Sequence, residues 1–340
     1  MNIEKLQNVL QEEKQPNFRL KQIQKAVFQD GISLFSDIYN LPKILREILE
    51  KEIKILSFEV VNVLKAKDGQ SVKALLKTED GNLIETVLIS PKPNLWSACI
   101  SCQIGCQMGC CFCATGKLGF KRNLTAEEIT DQVLFWRQYL KRNNSGDVGN
   151  IVFMGMGEPF NNWEEVSVSI KKLADKNFFG FGSRSLSVST VGISEGIEKI
   201  ANDFPQVNLA ISLHFADDKK RSKFMPVNKK DNLENLKNAL RKYFQKTKRK
   251  VFLEYILLDK INDFEEDAHN LKNFISDIGN EHLLHVNLIR YNATSENFKP
   301  SSKNCSYKFK DFLLKNGINT TIRKSLGEEI QGACGQLAGK

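Results

Sequence analysis

The stretch Cys99-Ile-Ser-Cys102-Gln-Ile-Gly-Cys106-Gln-Met-Gly-Cys110-Cys111-Phe-Cys113 decides how the rest of this sequence is interpreted. The chain contains eight cysteines, and six of them lie in this run. Packing of a hydrophobic core does not require such a density, so the run indicates a chemical role. Three kinds of site are open at this point: a disulfide knot, a zinc site and an iron–sulfur cluster.

The cellular compartment bears on the choice among these sites. The amino-terminal residues lack the basic and then apolar pattern of a secretory signal, and no apolar run approaches the ~20 residues of a membrane span. We therefore expect a cytoplasmic protein that does not enter a membrane. Because the cytoplasm keeps thiols reduced, clustered cysteines there are more often metal-binding or catalytic than disulfide-bonded.

The charge balance points to a polyanionic partner. Lysine and arginine number 49 against 40 aspartates and glutamates, a net charge of +9, and nucleic acid is the usual partner of a basic surface of this kind. Three basic runs, Lys219–Lys223, Lys229–Lys230 and Arg241–Lys250, are candidates for contact with phosphates. A solvated surface without a partner is the alternative for each run.

Hydrophobic periodicity divides the chain into three parts. Residues 1–53 carry apolar side chains at helical spacing and predict a small helical accessory domain. Residues 54–94 alternate with a period of two around the hairpin signal Asp80-Gly81 and predict a β-hairpin extension or linker. From residue 95 to 340, strand-like and helical segments alternate, which predicts an α/β domain with a parallel sheet. The six or seven units indicate a partial, open βα barrel.

In βα barrels, reactive groups lie in the loops that leave the carboxyl ends of the strands. The cysteine run follows the first predicted strand of the barrel domain, Trp96–Ser101. Other polar clusters follow further predicted strands: Gly155–Pro159, Ser189–Gly192, Ser212–His214 and Asn287–Asn292. We therefore expect all of these groups to meet at one mouth of the barrel.

The spacing of Cys106, Cys110 and Cys113 bears on the choice between zinc and iron. Structural zinc usually has four ligands, often as two separated pairs, and no distant pair accompanies these three. A C-x3-C-x2-C triad directly after a first barrel strand resembles radical S-adenosylmethionine (SAM) enzymes, in which three thiolates bind three irons of a four-iron cluster. We expect an iron–sulfur cluster. A zinc-stabilised RNA-binding protein is the alternative from another functional class.

Essentially the whole chain resembles the radical SAM adenosine RNA methyltransferases RlmN and Cfr, and RlmN more closely. The resemblance is carried, in order, by Cys99 to Lys117, Arg122–Thr125, Met154–Pro159, Ser189-Thr190, Ser212–His214, Met225-Pro226 and Ala333–Leu337. It implies a radical SAM barrel with a [4Fe-4S] cluster on Cys106, Cys110 and Cys113, and SAM used twice per turnover. The helical residues 1–53 resemble the accessory domain by which these enzymes engage RNA.

The resemblance also implies how an electron-poor adenine carbon is methylated. Cys334 first takes a methyl group from SAM by displacement. A second SAM is cleaved to a 5′-deoxyadenosyl radical, which removes hydrogen from the S-methyl group, and the resulting carbon radical adds to adenine. Cys99 then removes a proton from the adduct, and a Cys99–Cys334 disulfide forms as product leaves. A thiol reductant restores both cysteines, and an electron donor such as a flavodoxin system reduces the cluster.

Further site residues follow from the resemblance, position by position. Contacts to SAM are implied for Gly157, Glu158, Ser189, Ser212, Leu213, His214 and Asn292. Glu85 matches a position assigned as a proton acceptor in the family. No role is predicted for Cys102 or Cys111.

The implied substrate is an adenosine in the peptidyl transferase loop of 23S rRNA, with transfer RNA anticodon loops as a second target for a monomeric enzyme. The target carbon differs between the two relatives. Glu158-Pro159, Glu254-Tyr255 and the ending from Arg323 to Gly339 resemble RlmN, which methylates carbon 2. Val286–Asn292 and Ile129–Val133 resemble Cfr, which methylates carbon 8 and confers antibiotic resistance. We expect methylation of carbon 2, with carbon 8 as the alternative.

Overall fold

A computed structural model describes residues 1–339. The chain begins with helices α1 (Ile3–Glu12), α2 (Phe18–Gln24), which continues into a π-helical turn over Lys25–Gln29, and α3 (Lys43–Glu52). Leu6 and Leu10 of α1 and Leu45 and Leu49 of α3 are buried, because apolar residues four positions apart share one helix face. The predicted helical character of this part is confirmed.

Three antiparallel strands follow: β1 (Phe58–Lys65), β2 (Ser71–Thr78) and β3 (Leu83–Lys92). The predicted turn at Asp80-Gly81 joins β2 to β3, and Gly81 has a φ of +80°, which favours glycine. β3 then pairs antiparallel with β4 (Leu95–Cys99), so that Val87 lies opposite Cys99. The predicted boundary between residues 94 and 95 thus falls in the turn of a hairpin, and the antiparallel strands continue the barrel sheet. The division into three domains stays a prediction.

The parallel part of the sheet begins with β4. Beyond the short strands β5 (Gln103–Gly105) and β6 (Phe120–Asn123), it consists of β7 (Val148–Phe153), β8 (Leu186–Thr190), β9 (Asn208–Ser212), β10 (Val251–Leu257), β11 (Leu284–Arg290) and β12 (Thr320–Arg323). The sheet has ten strands in the order β1-β2-β3-β4-β7-β8-β9-β10-β11-β12, with β1 and β12 at its edges. This open, mostly parallel sheet confirms the predicted partial βα barrel.

Helices alternate with the parallel strands along the chain. They are α4 (Ala114–Lys117), α5 (Ala126–Arg142), α6 (Trp163–Ala174), α7 (Ser194–Asp203), α8 (Asp218–Phe224), α9 (Leu233–Lys246), α10 (Glu265–Ile278) and α11 (Lys303–Lys315). Ile151, Val188 and Leu209 are fully buried, and buried positions alternate with half-buried ones along β8, so one face of this strand is covered more fully than the other. A capping box opens α5: Thr125 Oγ1 accepts the Glu128 N–H at 3.2 Å, and the Glu128 carboxylate accepts the Thr125 N–H at 3.0 Å. Among residues 1–339, no helix has the length and apolar character needed to cross a membrane.

A small antiparallel sheet of β5 and β6 encloses the cysteine loop. The Cys106 N–H donates to the Gly119 carbonyl at 2.8 Å. A Cβ on Gly105 would lie 1.9 Å from that same oxygen, so only glycine fits there. The two ends of the loop from residue 106 to 117 are therefore held together by close backbone contact between residues 105–106 and Gly119. Strands of three and four residues are too short to show a period, which is why the sequence pattern does not predict them.

Candidate active site

A cavity of about 420 Å³ opens at the carboxyl ends of the parallel strands. The predicted site residues that line it are Cys99, Cys106, Cys110, Cys113, Gly157, Glu158, Ser189, Ser212, His214, Asn292 and Cys334. The fold thus brings the cysteine run and the distant Cys334 to the same space. Leu213 and Glu85 are the predicted site residues that do not line the cavity.

Cys106, Cys110 and Cys113 lie on the loop between β5 and α4. The Cys113 N–H donates to the Cys110 carbonyl at 3.1 Å, and a Cβ on Gly116 would lie 2.9 Å from that carbonyl oxygen, so the loop folds tightly on itself. Burial raises the pKa of the Cys106 thiol to about 12 and that of Cys110 well above its ordinary value. Thiolates at these positions therefore require a nearby cation, which the iron atoms of a cluster provide.

This set of sulfur ligands suits a cluster better than a single ion. Among residues 1–339, no three His, Cys, Asp or Glu side chains lie close enough together to hold one metal ion. A four-iron cluster takes each thiolate on a different iron and leaves the fourth iron open, so its cysteines stand apart around the cluster. The three cysteines border one wide cavity, which agrees with that arrangement.

The turn after β7 presents a buried carboxylate. Glu158 Oε2 accepts the Val191 N–H at 2.8 Å, and Oε1 accepts the Phe160 N–H at 3.1 Å. Burial raises the pKa of Glu158 to about 7 in spite of these bonds. Gly157 makes the turn possible, since its φ of +105° is rarely adopted by residues with a side chain. A ligand ammonium beside Glu158 would favour the charged carboxylate, so the turn can hold an amino group.

Two hydroxyls and an imidazole lie at the ends of β8 and β9. Ser189 Oγ and Ser212 Oγ are 3.4 Å apart. His214 has a φ of +57°, and its Nδ1 accepts the Ile256 N–H at 3.2 Å. Burial lowers the pKa of His214 to about 3, so the ring is neutral at physiological pH. A neutral ring that accepts at Nδ1 carries its proton on Nε2, which leaves Nε2 as its hydrogen-bond donor.

Asn292 presents a buried acceptor that lacks a donor. Its Nδ2 donates to the Cys334 carbonyl at 3.2 Å. Its Oδ1 is buried and has no hydrogen-bond partner within residues 1–339. Because an unsatisfied buried acceptor is costly, a ligand that brings an amino or hydroxyl donor into the cavity would be stabilised here. SAM carries both kinds of donor and fits this requirement.

The two predicted site residues outside the cavity lie behind it. The Leu213 side chain is fully buried in the main core, and its N–H donates to the Glu254 carbonyl at 3.1 Å. Glu85 lies on β3 and accepts hydrogen bonds from the backbone of Ala338 and Gly339. Contact of Leu213 with SAM and proton transfer by Glu85 stay predictions.

Arg323 and Glu254 pair at the cavity, although the sequence patterns assign neither a site role. Arg323 Nη1 lies 3.5 Å from Glu254 Oε2, and Glu254 Oε1 accepts from Asn287 Nδ2 at 2.8 Å. Burial, and then Cys334, raises the pKa of Cys99 to about 12, and the Arg323 charge opposes this rise. Arg323 is the last residue of β12, so the rule that reactive groups follow strand ends could have found it.

The basic run Lys219–Lys223 is a candidate for contact with phosphates, but its Arg221 is buried. The Arg221 side chain is fully buried, and its Nη2 donates to the Val191 carbonyl at 2.5 Å. Its neighbour Lys220 binds the Asp267 carboxylate at 2.6 Å. Arg221 therefore joins α8 to the loop after β8 and is unavailable to phosphate. The sequence misleads here because a run of like charges does not reveal which side chain of a short helix points inward.

Comparison with known proteins identifies the family. Residues 100–272 match the family model described as the Radical SAM superfamily. A ribosomal RNA large subunit methyltransferase Cfr from Clostridium botulinum is 42% identical over 335 residues, which cover 98% of this chain and 96% of that protein. This chain belongs to the radical SAM methyltransferase family of RlmN and Cfr.

Two further relatives agree with this membership. A probable dual-specificity RNA methyltransferase RlmN from Carboxydothermus hydrogenoformans is 40% identical over 341 residues, which cover 100% of this chain and 97% of that protein. The crystal structure of a radical SAM methyltransferase from Sphaerobacter thermophilus matches with a TM-score of 0.92 at 35% identity and covers 100% of this chain and 98% of that one. Members of this family use a [4Fe-4S] cluster and SAM, so the predicted cofactors are confirmed and displace the zinc alternative.

Proposed function

We propose that this member of the RlmN and Cfr family methylates carbon 2 of an adenosine in the peptidyl transferase loop of 23S rRNA, through an S-methylcysteine at Cys334. Adenosines in transfer RNA anticodon loops are a second proposed target. The observation that carries the proposal is the presence of Cys334, Cys99 and the three cysteines of the 106–113 loop around one cavity. A methyl acceptor, a second thiol and a cluster site are the groups that this chemistry requires.

Cys334 is the proposed methyl acceptor. It is exposed, whereas the cysteines of the loop and Cys99 are half-buried or buried. Its sulfur forms a bond to the methyl carbon of SAM as the bond from that carbon to the sulfonium sulfur breaks, S-adenosylhomocysteine leaves, and the thiol proton passes to solvent. Cys106, Cys110 and Cys113 would hold the [4Fe-4S] cluster, which would supply the electron for reductive cleavage of a further SAM.

Cys99 is the proposed second thiol. Burial, and then the neighbouring Cys334, raises its pKa to about 12, so Cys99 is protonated at rest. Methylation of Cys334 removes a neighbouring thiol whose ionised form contributes to this rise, and the Arg323 charge favours the Cys99 thiolate. Cys99 therefore ionises more readily once the methyl group is in place, which suits a group that accepts its proton from the later RNA adduct. The Cys99 sulfur then bonds to the Cys334 sulfur as the bond from that sulfur to the methylene carbon breaks, and this carbon takes a proton to become the methyl group of the product. A thiol reductant then reduces the disulfide and restores both cysteines.

The choice of carbon 2 rests on which segments reach the cavity. Positions that resemble RlmN line it: Glu158, Glu254, Arg323, Lys324 and most of the ending around Cys334. The Cfr-like segment Ile129–Val133 contributes no lining residue, and Val286–Asn292 contributes Ile289 and Asn292. The side chains near the reactive sulfurs thus resemble RlmN more than Cfr, which supports carbon 2.

Methylation of carbon 8 is the second candidate. Relatives named Cfr reach 42% identity, against 40% for the RlmN relative, and Asn292 of a Cfr-like segment lines the cavity. Both carbons belong to the same base and need the same cysteines. The two activities therefore differ in how adenine is seated relative to the Cys334 methyl group.

Residues 1–53 are the proposed site of RNA contact beyond the cavity. Tyr39 is 83% exposed, and the Arg46 guanidinium lies 5.9 Å from its ring centroid. Arg19 lies 5.0 Å from the ring of the exposed Phe18 in the same manner. Exposed aromatic rings and guanidinium groups stack on unpaired bases, and the target adenosine must leave its own stack to enter a cavity. We propose a cytoplasmic monomer that also depends on a flavodoxin-type electron donor and a thiol reductant.

Mass spectrometry of nucleosides from ribosomal and transfer RNA of cells with and without this gene tests the proposal. The expected result is loss of 2-methyladenosine on deletion, restored by the wild-type gene and not by the Cys334→Ala variant. Loss of 8-methyladenosine instead would show that the enzyme methylates carbon 8 and not carbon 2. Unchanged levels of both nucleosides in ribosomal RNA would refute the proposed reaction, and a change in ribosomal RNA alone would remove transfer RNA as a target.

A further inference from the structure

Glu85 lies beneath the C-terminal segment, which we define as residues 332–339. Its Oε2 accepts the Ala338 N–H at 2.6 Å and the Gly339 N–H at 3.0 Å. Its Oε1 lies 2.7 Å from Nζ of Lys73 on β2, and the side chains of Glu85 and Lys73 are only 1% and 7% exposed. Oε2 is therefore hydrogen-bonded to the segment, Oε1 is paired with the Lys73 charge, and both oxygens are shielded from water.

We propose that the Lys73–Glu85 pair anchors the C-terminal segment and thereby positions Cys334 for methylation. Glu85 is then a positioning residue that acts through the backbone of the segment, and not a proton acceptor. The inference rests on the proposed S-methylation of Cys334. It assigns the antiparallel strands β2 and β3 a role in the reaction, as the surface on which the methyl carrier lies.

The pairing of β2 with β3 places the anchor and the cavity wall on one face of the sheet. Lys73 lies opposite Val87, and Val87 is two residues from Glu85, so the three side chains share a face. Val87 and Ile89 on this face line the cavity. A Cβ on Gly332 would lie 3.5 Å from Val87 Cγ1, so the C-terminal segment crosses this face between the cavity and the anchor.

Other contacts hold the segment by its carbonyl groups. The Cys334 carbonyl accepts from Asn292 Nδ2 at 3.2 Å, the Gly335 carbonyl from the Ala114 N–H at 2.7 Å, and the Leu337 carbonyl from Thr115 Oγ1 at 2.6 Å. Glu85 provides the bonds to the N–H groups at the end of the segment. Without them, the last residues would be released and Cys334 would sample more positions, which slows a displacement that needs close alignment.

The chemistry of the pair favours an anchor over a proton acceptor. Hydrogen bonds from backbone N–H groups to a carboxylate are stronger than those to a neutral oxygen, and Lys73 balances the charge that such an acceptor brings into the interior. A proton acceptor must come within hydrogen-bond distance of the substrate. Neither Glu85 nor Lys73 lines the cavity in which substrate would bind.

The rate of Cys334 methylation tests the inference, measured by intact mass with cluster-loaded enzyme and SAM in the absence of RNA. Glu85→Gln leaves Lys73 buried without a counter-charge, and we expect methylation to slow about tenfold. Lys73→Met combined with Glu85→Gln removes both charges and retains an amide oxygen for the two N–H groups, so we expect a rate within about threefold of wild type. Lys73→Met combined with Glu85→Leu has no acceptor, and we expect it to be about tenfold slow.

Hydrogen exchange of the Ala338 and Gly339 amides provides a readout apart from activity. Exchange should be faster than in wild type when Glu85→Leu is combined with Lys73→Met, and unchanged when Glu85→Gln replaces Glu85→Leu in the pair. Asp267→Asn is the matched control, because it removes the partner of Lys220 in another ion pair with a buried carboxylate. It should alter neither the exchange at these amides nor the methylation rate.

Three outcomes separate the possible errors. If Lys73→Met with Glu85→Gln methylates Cys334 normally but stalls with RNA bound covalently, Glu85 accepts the proton from the adduct, and the claim that it acts only as an anchor is overturned. Normal methylation together with unchanged exchange in Lys73→Met with Glu85→Leu would also overturn it. If wild-type Cys334 takes no methyl group, the proposed function fails instead, and the exchange experiment alone decides whether the pair anchors the segment.

Discussion

Two of the segments that bring cysteines to the cavity, the 106–117 loop and the C-terminal segment, are held in different ways. The 106–117 loop is held by nearby backbone: a Cβ on Gly105 would lie 1.9 Å from the Gly119 carbonyl, and one on Gly116 would lie 2.9 Å from the Cys110 carbonyl. The C-terminal segment is held mostly by side chains from distant elements, such as Glu85, which is 253 residues from Ala338 along the chain.

The difference between these segments corresponds to their proposed tasks. Three cluster ligands must keep fixed positions, and close backbone packing leaves them little freedom. A methyl carrier must meet SAM, then RNA, then Cys99, and single hydrogen bonds worth about 1 kcal/mol each can break and re-form during such a cycle. We therefore expect the cysteine loop to be the more rigid of the two segments and the attachments of the C-terminal segment to adjust during the proposed cycle.

The largest expected effect comes from removing one cysteine from each segment. Cys106→Ala should lose most of the bound iron and all RNA methylation, because the cluster then lacks one of its three ligands. Cys334→Ala should keep its iron and lose RNA methylation by more than about a thousandfold, because the methyl acceptor is gone. Iron analysis beside a methylation assay distinguishes them. Equal loss of iron in the two variants would contradict the separation of roles.

Close packing of the loop can be tested at two glycines with positive φ. Gly105→Ala combines a φ of +76° with the clash against Gly119, and we expect the free energy of unfolding to fall by about 3 kcal/mol with reduced iron retention. Gly119→Ala is the control, since its φ is +72° and nothing lies within 4 Å of the added Cβ. Its cost should be about 1 kcal/mol by urea unfolding. Similar costs for both would mean that the clash is relieved and the loop is not tightly held.

The turn at Glu158 should give a smaller, pH-dependent effect. Burial raises the pKa of Glu158 in the folded protein from 4.5 to about 7, so between these values the folded state binds a proton that the unfolded chain has released. Relative to Glu158→Gln, the wild type should therefore lose up to about 1.4 kcal/mol of unfolding free energy for each pH unit within this window. Urea unfolding of both proteins at several pH values measures the difference. A constant difference across the window would show that Glu158 is not desolvated.

The smallest expected effect concerns the pKa of Cys99, which depends on the charges of the neighbouring Cys334 and Arg323. Cys334 raises the pKa of Cys99 and Arg323 lowers it, so Cys334→Ala should speed alkylation of Cys99 at pH about 9, and Arg323→Met should slow it, each by about threefold. Peptide mass spectrometry after timed alkylation measures both. Arg323→Lys keeps the charge and should remain close to wild type. Identical rates in all variants would mean that the thiols do not influence one another.

Much of the fold could be predicted because its signals act between neighbouring residues. The strand predicted at Trp96–Ser101 is observed as Leu95–Cys99, and the turn predicted at Asp80-Gly81 joins β2 to β3. Short elements were not predictable in this way. β5 and β6 pair because Gly105 lets their backbones come close together. Arg221 of α8 points inward because it donates hydrogen bonds to the buried Leu213 and Val191 carbonyls.

The sequence by itself determined the spacing of Cys106, Cys110 and Cys113, the alternation of strands and helices, and the polar groups that follow the strands. Spacing, period and turn chemistry are local properties, so they can be recognised without the fold. Only the tertiary structure decided that Glu85 contacts Ala338 and Gly339, and that β1 to β3 continue the barrel sheet. Such contacts join residues that are far apart in the chain, and they depend on the order in which the strands pair. Local sequence patterns therefore do not predict them.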